Sequence, residues 1–298
     1  MEINQIAPLE NKFTEVLKAL VLNVKMLYYY GNLPENRQKT VAIVGSRRNT
    51  PYGYEVAYRA AYEAAKAGAI VISGLAYGID SVAHRGALDA GGITIAVLGT
   101  PITEIYPKPH KGLAREIIEK GGAVISEYGP EDTPLGLPDI KARFLARNRI
   151  IAGLSDAVLV VEAADHSGTL NTATHALDLG LDLLAVPGDI TKSTSVGCNK
   201  LIKQGALPYT EPDDLLDILF PERIVKRRSR KLLNKLLLKT ETEVEKQVLS
   251  VIFEGISDGD EIIKRLKISA TDFSQAITML EIKGLVVALG MNQWMTRG

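Results

Sequence analysis

Nine consecutive residues, KARFLARNR at 141–149, supply four cations, an aromatic ring and a side-chain amide. Cations track a phosphate backbone, and an aromatic ring among them offers a platform on which an unpaired base can stack whatever its sequence. The surroundings sharpen the contrast. Residues 41–222 hold 16 Lys and Arg against 22 Asp and Glu, a balance of −6. If the segment is helical, Lys141 and Phe144 share one face at i, i+3, and Arg143 and Arg147 another at i, i+4. Asn148 then serves to bond a base edge or to orient a loop. A purely structural arrangement stays open beside this one: Arg147 and Arg149 tied to acids such as Asp156 or Glu162, with Phe144 in the core.

Three glycine-bearing turns add anion chemistry. They are Gly45-Ser46-Arg47-Arg48-Asn49-Thr50-Pro51, the turn from Ser73-Gly74 to Gly78-Ile79-Asp80, and His166-Ser167-Gly168-Thr169. Glycine lets backbone amides approach an anion closely, and Ser or Thr adds a hydroxyl donor. Each turn alone is ordinary strand–helix punctuation; gathered at one sheet edge beside Arg47, they form a phosphate-binding surface. The dinucleotide fingerprint G-x-G-x-x-G is absent, and Gly188-Asp189-Ile190-Thr191-Lys192-Ser193 lacks the second glycine of a P-loop, so neither a nicotinamide nor a P-loop nucleotide site is indicated. Catalysis finds little support. His84, His110, His166 and His175 are scattered, Ser73 and Ser167 have no base nearby in sequence, and no metal-ligand spacing occurs. No cofactor and no metal are expected.

The elements that must position these residues read clearly from residue 41 onward. Short apolar runs at 41–46, 69–74, 93–99, 123–128, 157–163 and 182–188 alternate with amphipathic stretches of helical length. Runs this continuous belong to strands buried on both faces, which predicts an α/β architecture: a Rossmann-like, doubly wound, mostly parallel sheet. Ligands in such sheets sit beyond the carboxyl ends of the strands. Thr50 followed by Pro51 reads as a helix N-cap and first turn.

Four segments are expected. Residues 1–40 form a helical extension, with a helix at about 11–27 and a turn at Tyr28-Tyr29-Tyr30-Gly31-Asn32. Residues 41–222 form the Rossmann-like domain. Residues 223–239 form a basic linker with eight cations and no acid, either solvated, or a helix with Leu232, Leu233, Leu236 and Leu237 inward, or a non-specific phosphate grip. Residues 240–298 form a winged-helix-like domain of three helices and a hairpin. This last unit holds 6 basic and 9 acidic residues, which argues for a protein-contact or regulatory module rather than a DNA-groove reader.

Across its 298 residues the chain has zero formal charge and 46% hydrophobic content, so no global field announces a nucleic-acid or membrane partner. A single cysteine, Cys198, excludes an internal disulfide framework and fits a reducing compartment. Without an apolar run long enough to span a bilayer, and with charges spread through residues 1–20, a cytoplasmic protein with no membrane partner is expected.

The motifs VAIVGSR (41–47), SGLAYGIDSVAH (73–84), TIAVLG (94–99), ISEY (125–128), RNRIIAGLSDAVLVVEA (147–163), SGTLNTA (167–173), AVPGDI (185–190) and LIKQGA (201–206) strongly resemble the DNA-processing protein A (DprA/Smf) family in order and spacing. The resemblance implies a non-enzymatic protein that binds single-stranded DNA through a Rossmann-like domain. It further implies a homodimer that shields incoming DNA and helps load the recombinase RecA during natural transformation. By the same resemblance the strand pocket takes Gly45, Ser46, Arg47, Lys141, Phe144, Ser167 and Gly168. To these the reading of the residues adds Ser73, Gly74, Arg147, Asn148, Arg149 and Thr169. Many members read F-P-x-R-N-R, where Leu145 stands here in place of Pro. Two other readings stand beside this one. A phosphoribohydrolase-like enzyme on a related scaffold would usually show P-G-G-x-G-T and a following Glu, whereas Ser167-Gly168-Thr169-Leu170-Asn171 has no close Glu. An adaptor would work only through residues 240–298.

Overall fold

A computed structural model describes residues 2–19, 24–133 and 136–297, with the side chains of Ala19 and of residues 225–231 left out. It divides into two compact units, Met1–Pro221 and Glu222–Gly298.

The first unit is built on nine strands: β1 (Asn4–Ile6), β2 (Leu27–Gly31), β3 (Thr40–Val44), β4 (Ile70–Ser73), β5 (Thr94–Leu98), β6 (Ala123–Ser126), β7 (Ala157–Val160), β8 (Asp182–Ala185) and β9 (Leu207–Pro208). Their spatial order is β1-β2-β6-β5-β4-β3-β7-β8-β9. From β6 to β9 every pairing is parallel; β2 pairs antiparallel with both β1 and β6. Between β3 and β7 the winding reverses direction, which makes the loops after these two strands the topological switch point.

Alternation along each strand divides the core into two layers. In β3, Val41 and Ile43 face α2 (Pro51–Lys66), α3 (Ile79–Asp89) and α8 (Pro212–Leu219), packing on Ala57, Ala61, Ile79, Ala83 and Leu215. Ala42 and Val44 face the opposite layer, with Ile150 and Ile151 of α5 (Leu137–Gly153), Ala173 and Ala176 of α6 (Gly168–Asp178), and Cys198 and Leu201 of α7 (Val196–Lys203). Near the other end of the sheet, α4 (Lys111–Glu119) covers Ala96, Leu98 and Val124 through Ala114 and Ile117. Small alanines on α2 and α3 let two helices lie close on one sheet face. Thr50 caps α2 by accepting the Gly53 amide at 3.1 Å, with Pro51 in the first turn as the sequence predicts.

Residues 1–40 depart from expectation. Only Val16–Ala19 is α-helical (α1), residues 20–23 lie outside the described ones, and the Tyr28–Tyr30 run is strand rather than turn. Tyr28 pairs with Ser126 and Tyr30 with Val124, so the segment extends the sheet instead of standing apart. Phe13, Leu17, Val24 and Leu27 are buried in the same core as β3 and β5. The helical extension is therefore corrected to a strand-bearing part of the first unit. Its apolar residues gain more by closing the sheet's end than by packing on themselves.

In the second unit, the basic segment takes the helical one of its expected forms, α9 (Glu222–Leu237). Leu236 is buried and Leu237 partly so, against α10 (Glu243–Phe253), whereas Leu232 is exposed. Lys226, Arg227, Arg228, Arg230 and Lys231 fall on the side chains outside the described ones. With α10, α11 (Gly259–Leu266) and α12 (Ala270–Ile282) close on Val248, Ile252, Ile262, Phe273, Ile277 and Leu280. A hairpin follows, β10 (Val286–Gly290) and β11 (Gln293–Thr296), turning on Met291 and Asn292 at φ 51° and 61°. Three helices and a hairpin are the elements the sequence predicts.

Candidate nucleic-acid interface

The loops after β3 and β7, with one face of α5 and the start of α6, enclose a cleft of about 600 Å³. Two glycines bring the first loop into place. A Cβ on Gly45 would lie 2.7 Å from Cγ1 of Ile79, and Gly78, at φ +74°, would place one 2.2 Å from the Ser46 carbonyl oxygen. The Ile79 amide donates to that same carbonyl at 3.1 Å. The turn bearing Ser46, Arg47 and Arg48 thus rests directly on the loop after β4, and its two arginines stay exposed. Glu162, buried just past β7, anchors the other end of the turn. Its carboxylate accepts the Thr50 amide at 3.0 Å and the Thr50 hydroxyl at 2.5 Å. Gly53 leaves room for that carboxylate.

Helix α5 turns Lys141, Phe144, Leu145, Asn148 and Ile151 toward the cleft, a stripe at spacings of three and four. Phe144 is half-buried rather than core. Its ring lies 5.5 Å from the Arg47 guanidinium carbon and 5.8 Å from that of Arg147. Gly99 admits the ring: a Cβ there would sit 2.9 Å from Cδ1 of Phe144. On the facing wall Ser167 caps α6, its Oγ accepting the Thr169 amide at 3.2 Å, while the Thr169 hydroxyl donates to the Gly45 carbonyl at 3.1 Å. That last bond ties the loops after β3 and β7 together.

Arg147 has a different place from its neighbours. It is 4% exposed, and its guanidinium donates to the Gly74 carbonyl at 2.8 Å and to the Val97 carbonyl. Burial draws Arg147 down to about 10, with Asp80 opposing the shift, so it remains a cation at neutral pH. Burial pushes the Asp80 carboxyl up, opposed by Arg147 and by the Ala76 and Gly74 amides. Asn148 is buried too and donates to the Gly168 carbonyl at 3.3 Å and to Asn171 at 3.2 Å.

Ten of the thirteen residues singled out from the sequence line the cleft: Gly45, Ser46, Arg47, Lys141, Phe144, Arg147, Asn148, Ser167, Gly168 and Thr169. Ser73, Gly74 and Arg149 lie outside it. Ser73 is wholly buried and donates to the Ile43 carbonyl at 2.7 Å. Gly74 exists to clear Arg147, since a Cβ would fall 2.4 Å from Nη1. Arg149 pairs with Glu127 at 2.6 Å. The ion pairs weighed from the sequence take other partners: Asp156 holds Arg37 at 3.0 Å, and Glu162 serves Thr50. Arg143 turns away from Arg147 to Asp139, at 3.0 Å, and to the face of Tyr128. Arg48, Asp80 and Leu145 also line the cleft without having been singled out, Leu145 on a helix that runs unbroken through the position where the pattern has Pro. The wall therefore carries Arg47, Arg48, Lys141 and Arg147 against Asp80, a cationic notch in an acidic region.

Residues 4–220 match the family model described as DNA recombination-mediator protein A. The chain belongs to that family. It is 44% identical over 193 residues to protein Smf of Escherichia coli, covering 65% of this chain and 50% of that one. It is 42% identical over 191 residues to DNA processing protein DprA of Streptococcus pneumoniae, covering 64% of this chain and 65% of that one. The chain thus spans about half to two thirds of the length of these curated relatives. The solved structure of the pneumococcal DNA processing protein A aligns with a TM-score of 0.62 at 38% identity, over 72% of this chain and 74% of that one. A solved DNA processing protein A from Helicobacter pylori, reported for its single-stranded DNA binding mode, aligns at 0.63 and 30% identity, over 74% of this chain and 97% of that one. The family model takes in β1 and β2 and ends before the second unit. Among the described residues, no helix is long and apolar enough to cross a membrane, and no group of three or more His, Cys, Asp or Glu is placed to hold a metal ion.

Proposed function

We infer that this chain is a non-enzymatic recombination mediator that binds single-stranded DNA in the cleft at the switch point. One observation carries the reading: Arg47, Lys141 and Phe144, from two separate segments, line the same cleft beside the helix start at Ser167-Gly168-Thr169. Arg47 and Lys141 neutralise phosphates, and Phe144 receives an unpaired base on a half-open face. Family membership and the solved Helicobacter relative support the same choice of ligand. On this reading the protein works in the cytoplasm as a homodimer, shields incoming strands and helps load the recombinase RecA during natural transformation. Two clefts engaging one strand raise avidity through effective concentration.

Binding of a fluorescent oligothymidine, followed by anisotropy, tests the central claim. Affinity should exceed that for duplex and fall as salt rises. Arg47→Ala should weaken binding to all sequences alike and lower the salt slope by about one. Equal affinity for duplex, or no binding at low salt, refutes the reading. Light scattering showing only monomer at working concentration removes the dimer. RecA filament assembly on coated strands that is not accelerated removes the loading role.

A further inference from the structure

The cleft accounts for Phe144 but not for the aromatic rings around it. Tyr106, on the loop after β5, is 44% exposed, and its ring centroid stands 5.4 Å from that of Phe144 with the planes inclined at 58°. Tyr77, on the loop after β4, is 45% exposed and adjoins Ala76, which lines the cleft. The two loops are fastened together by His110. Its Nδ1 donates to the Leu75 carbonyl at 2.8 Å, and its ring meets Tyr77 edge-on at 5.0 Å. Lys108 and Lys111 are exposed on the same stretch, with Glu104 as the acid between Gly99 and Lys111. Single exposed tyrosines are ordinary. Here two stand on loops that the sheet places side by side, one of them touching the ring in the cationic cleft.

We propose that a single strand seated in the cleft continues across the loops after β4 and β5, stacking its next base on Tyr106 and a further one on Tyr77. The proposal rests on the function inferred above and extends its site. Stacking on tyrosine is sequence-tolerant because every base presents a π-face, and Lys108 and Lys111 supply phosphate contacts alongside. The inclination between Phe144 and Tyr106 has a further effect. Bases seated on the two rings cannot stay parallel, so the strand must turn between them. A duplex, whose bases are stacked parallel, cannot follow that turn. Selection for unpaired DNA then arises from ring geometry as well as from access.

The test compares an oligothymidine with an abasic strand of equal length, both about 16 nucleotides. Tyr106→Ala should weaken the oligothymidine about tenfold and leave the abasic strand nearly unchanged, while Tyr106→Phe keeps parent affinity for both. Arg47→Ala should weaken both strands. Equal loss on both strands for Tyr106→Ala, or no loss on either, overturns the subsite while leaving the cleft in place. Failure of the unaltered chain to bind either strand removes the inferred function and this extension together. Photo-crosslinking of the unaltered chain with 5-iodouracil strands needs no substitution at all. Adducts on Tyr106 or Tyr77 support the path, and adducts found on neither overturn it.

Discussion

Replacing Arg147 with Met isolates what the buried cation does. The change keeps the side chain's length but deletes the donors to the Gly74 and Val97 carbonyls and takes from Asp80, 6% exposed, the cation that most opposes its desolvation. Loss of the two buried donor bonds, together with the charge that opposes the desolvation of Asp80, is expected to cost about 3–5 kcal/mol, at about 1–3 kcal/mol for each group left unsatisfied. In a folding unit of this size each kcal/mol moves the midpoint by about 2–4 °C, so a fall of roughly 6–20 °C is expected. The loss should depend on pH. Burial already raises Asp80, and Arg147 is the first of the influences holding it down, so the variant raises it further. A carboxyl whose folded value lies above its unfolded value is most stabilising when protonated. That contribution is lost as pH climbs from the ordinary carboxylate range through the folded value. Arg147→Met should therefore lag the parent more at pH 7.5 than at pH 5. Adding Asp80→Leu should restore part of the deficit, because it removes the buried carboxyl whose desolvation Arg147 had opposed. Far-ultraviolet circular dichroism is the appropriate probe, since Trp294, the sequence's one tryptophan, lies in the second unit. A single variant within about 1 kcal/mol of the parent, or strictly additive effects in the double variant, would refute the reasoning.

Three further outcomes follow from the same geometry. Phe144→Ala should cost about 1–3 kcal/mol of oligothymidine affinity and much less on an abasic strand, read by anisotropy. Gly78→Ala forces a methyl to 2.2 Å from the Ser46 carbonyl at φ +74°; it should destabilise the first unit by at least about 1–3 kcal/mol and weaken DNA binding by displacing Arg47, measured by melting and titration. His84 is fully buried, bonded to Thr94 at 2.7 Å through Nδ1, with Nε2 unpartnered, and burial lowers it to about 3. The unfolded chain takes up that proton below about pH 6.5, so stability should fall as pH drops from about 6.5 toward 3. His84→Gln should flatten that part of the pH profile in urea titrations.

The parallel core was legible because strands buried on both faces leave continuous apolar runs, and α2 because Thr50-Pro51 is a local start signal. β2 was not. An aromatic run ending in Gly and Asn looks like a turn, and only its pairing with β6, 92 to 98 residues away, makes it a strand. Arg47, Lys141 and Phe144 could be found from residue type and family pattern. Arg147 and Arg149 could not be told apart in composition, yet two helix positions differ by about 200° in direction, so one enters the wall and the other meets Glu127. Ser73 and Gly74 share a strand end with residues that do reach the cleft, but burial, which has no local signature in a Ser-Gly pair, turns them to structural work. Tyr106 sits in a loop without periodicity, and nothing short of the fold brings it to Phe144.

The outermost strands of the nine-stranded sheet are three residues long at one margin and two at the other, the latter ending in Pro208. Such stubs offer almost no unpaired ladder, and proline removes a donor where one would count. Growth of the sheet by lateral addition of another polypeptide is disfavoured at both sides. The β-layer is thereby a platform with little edge to extend, open along its carboxyl rim.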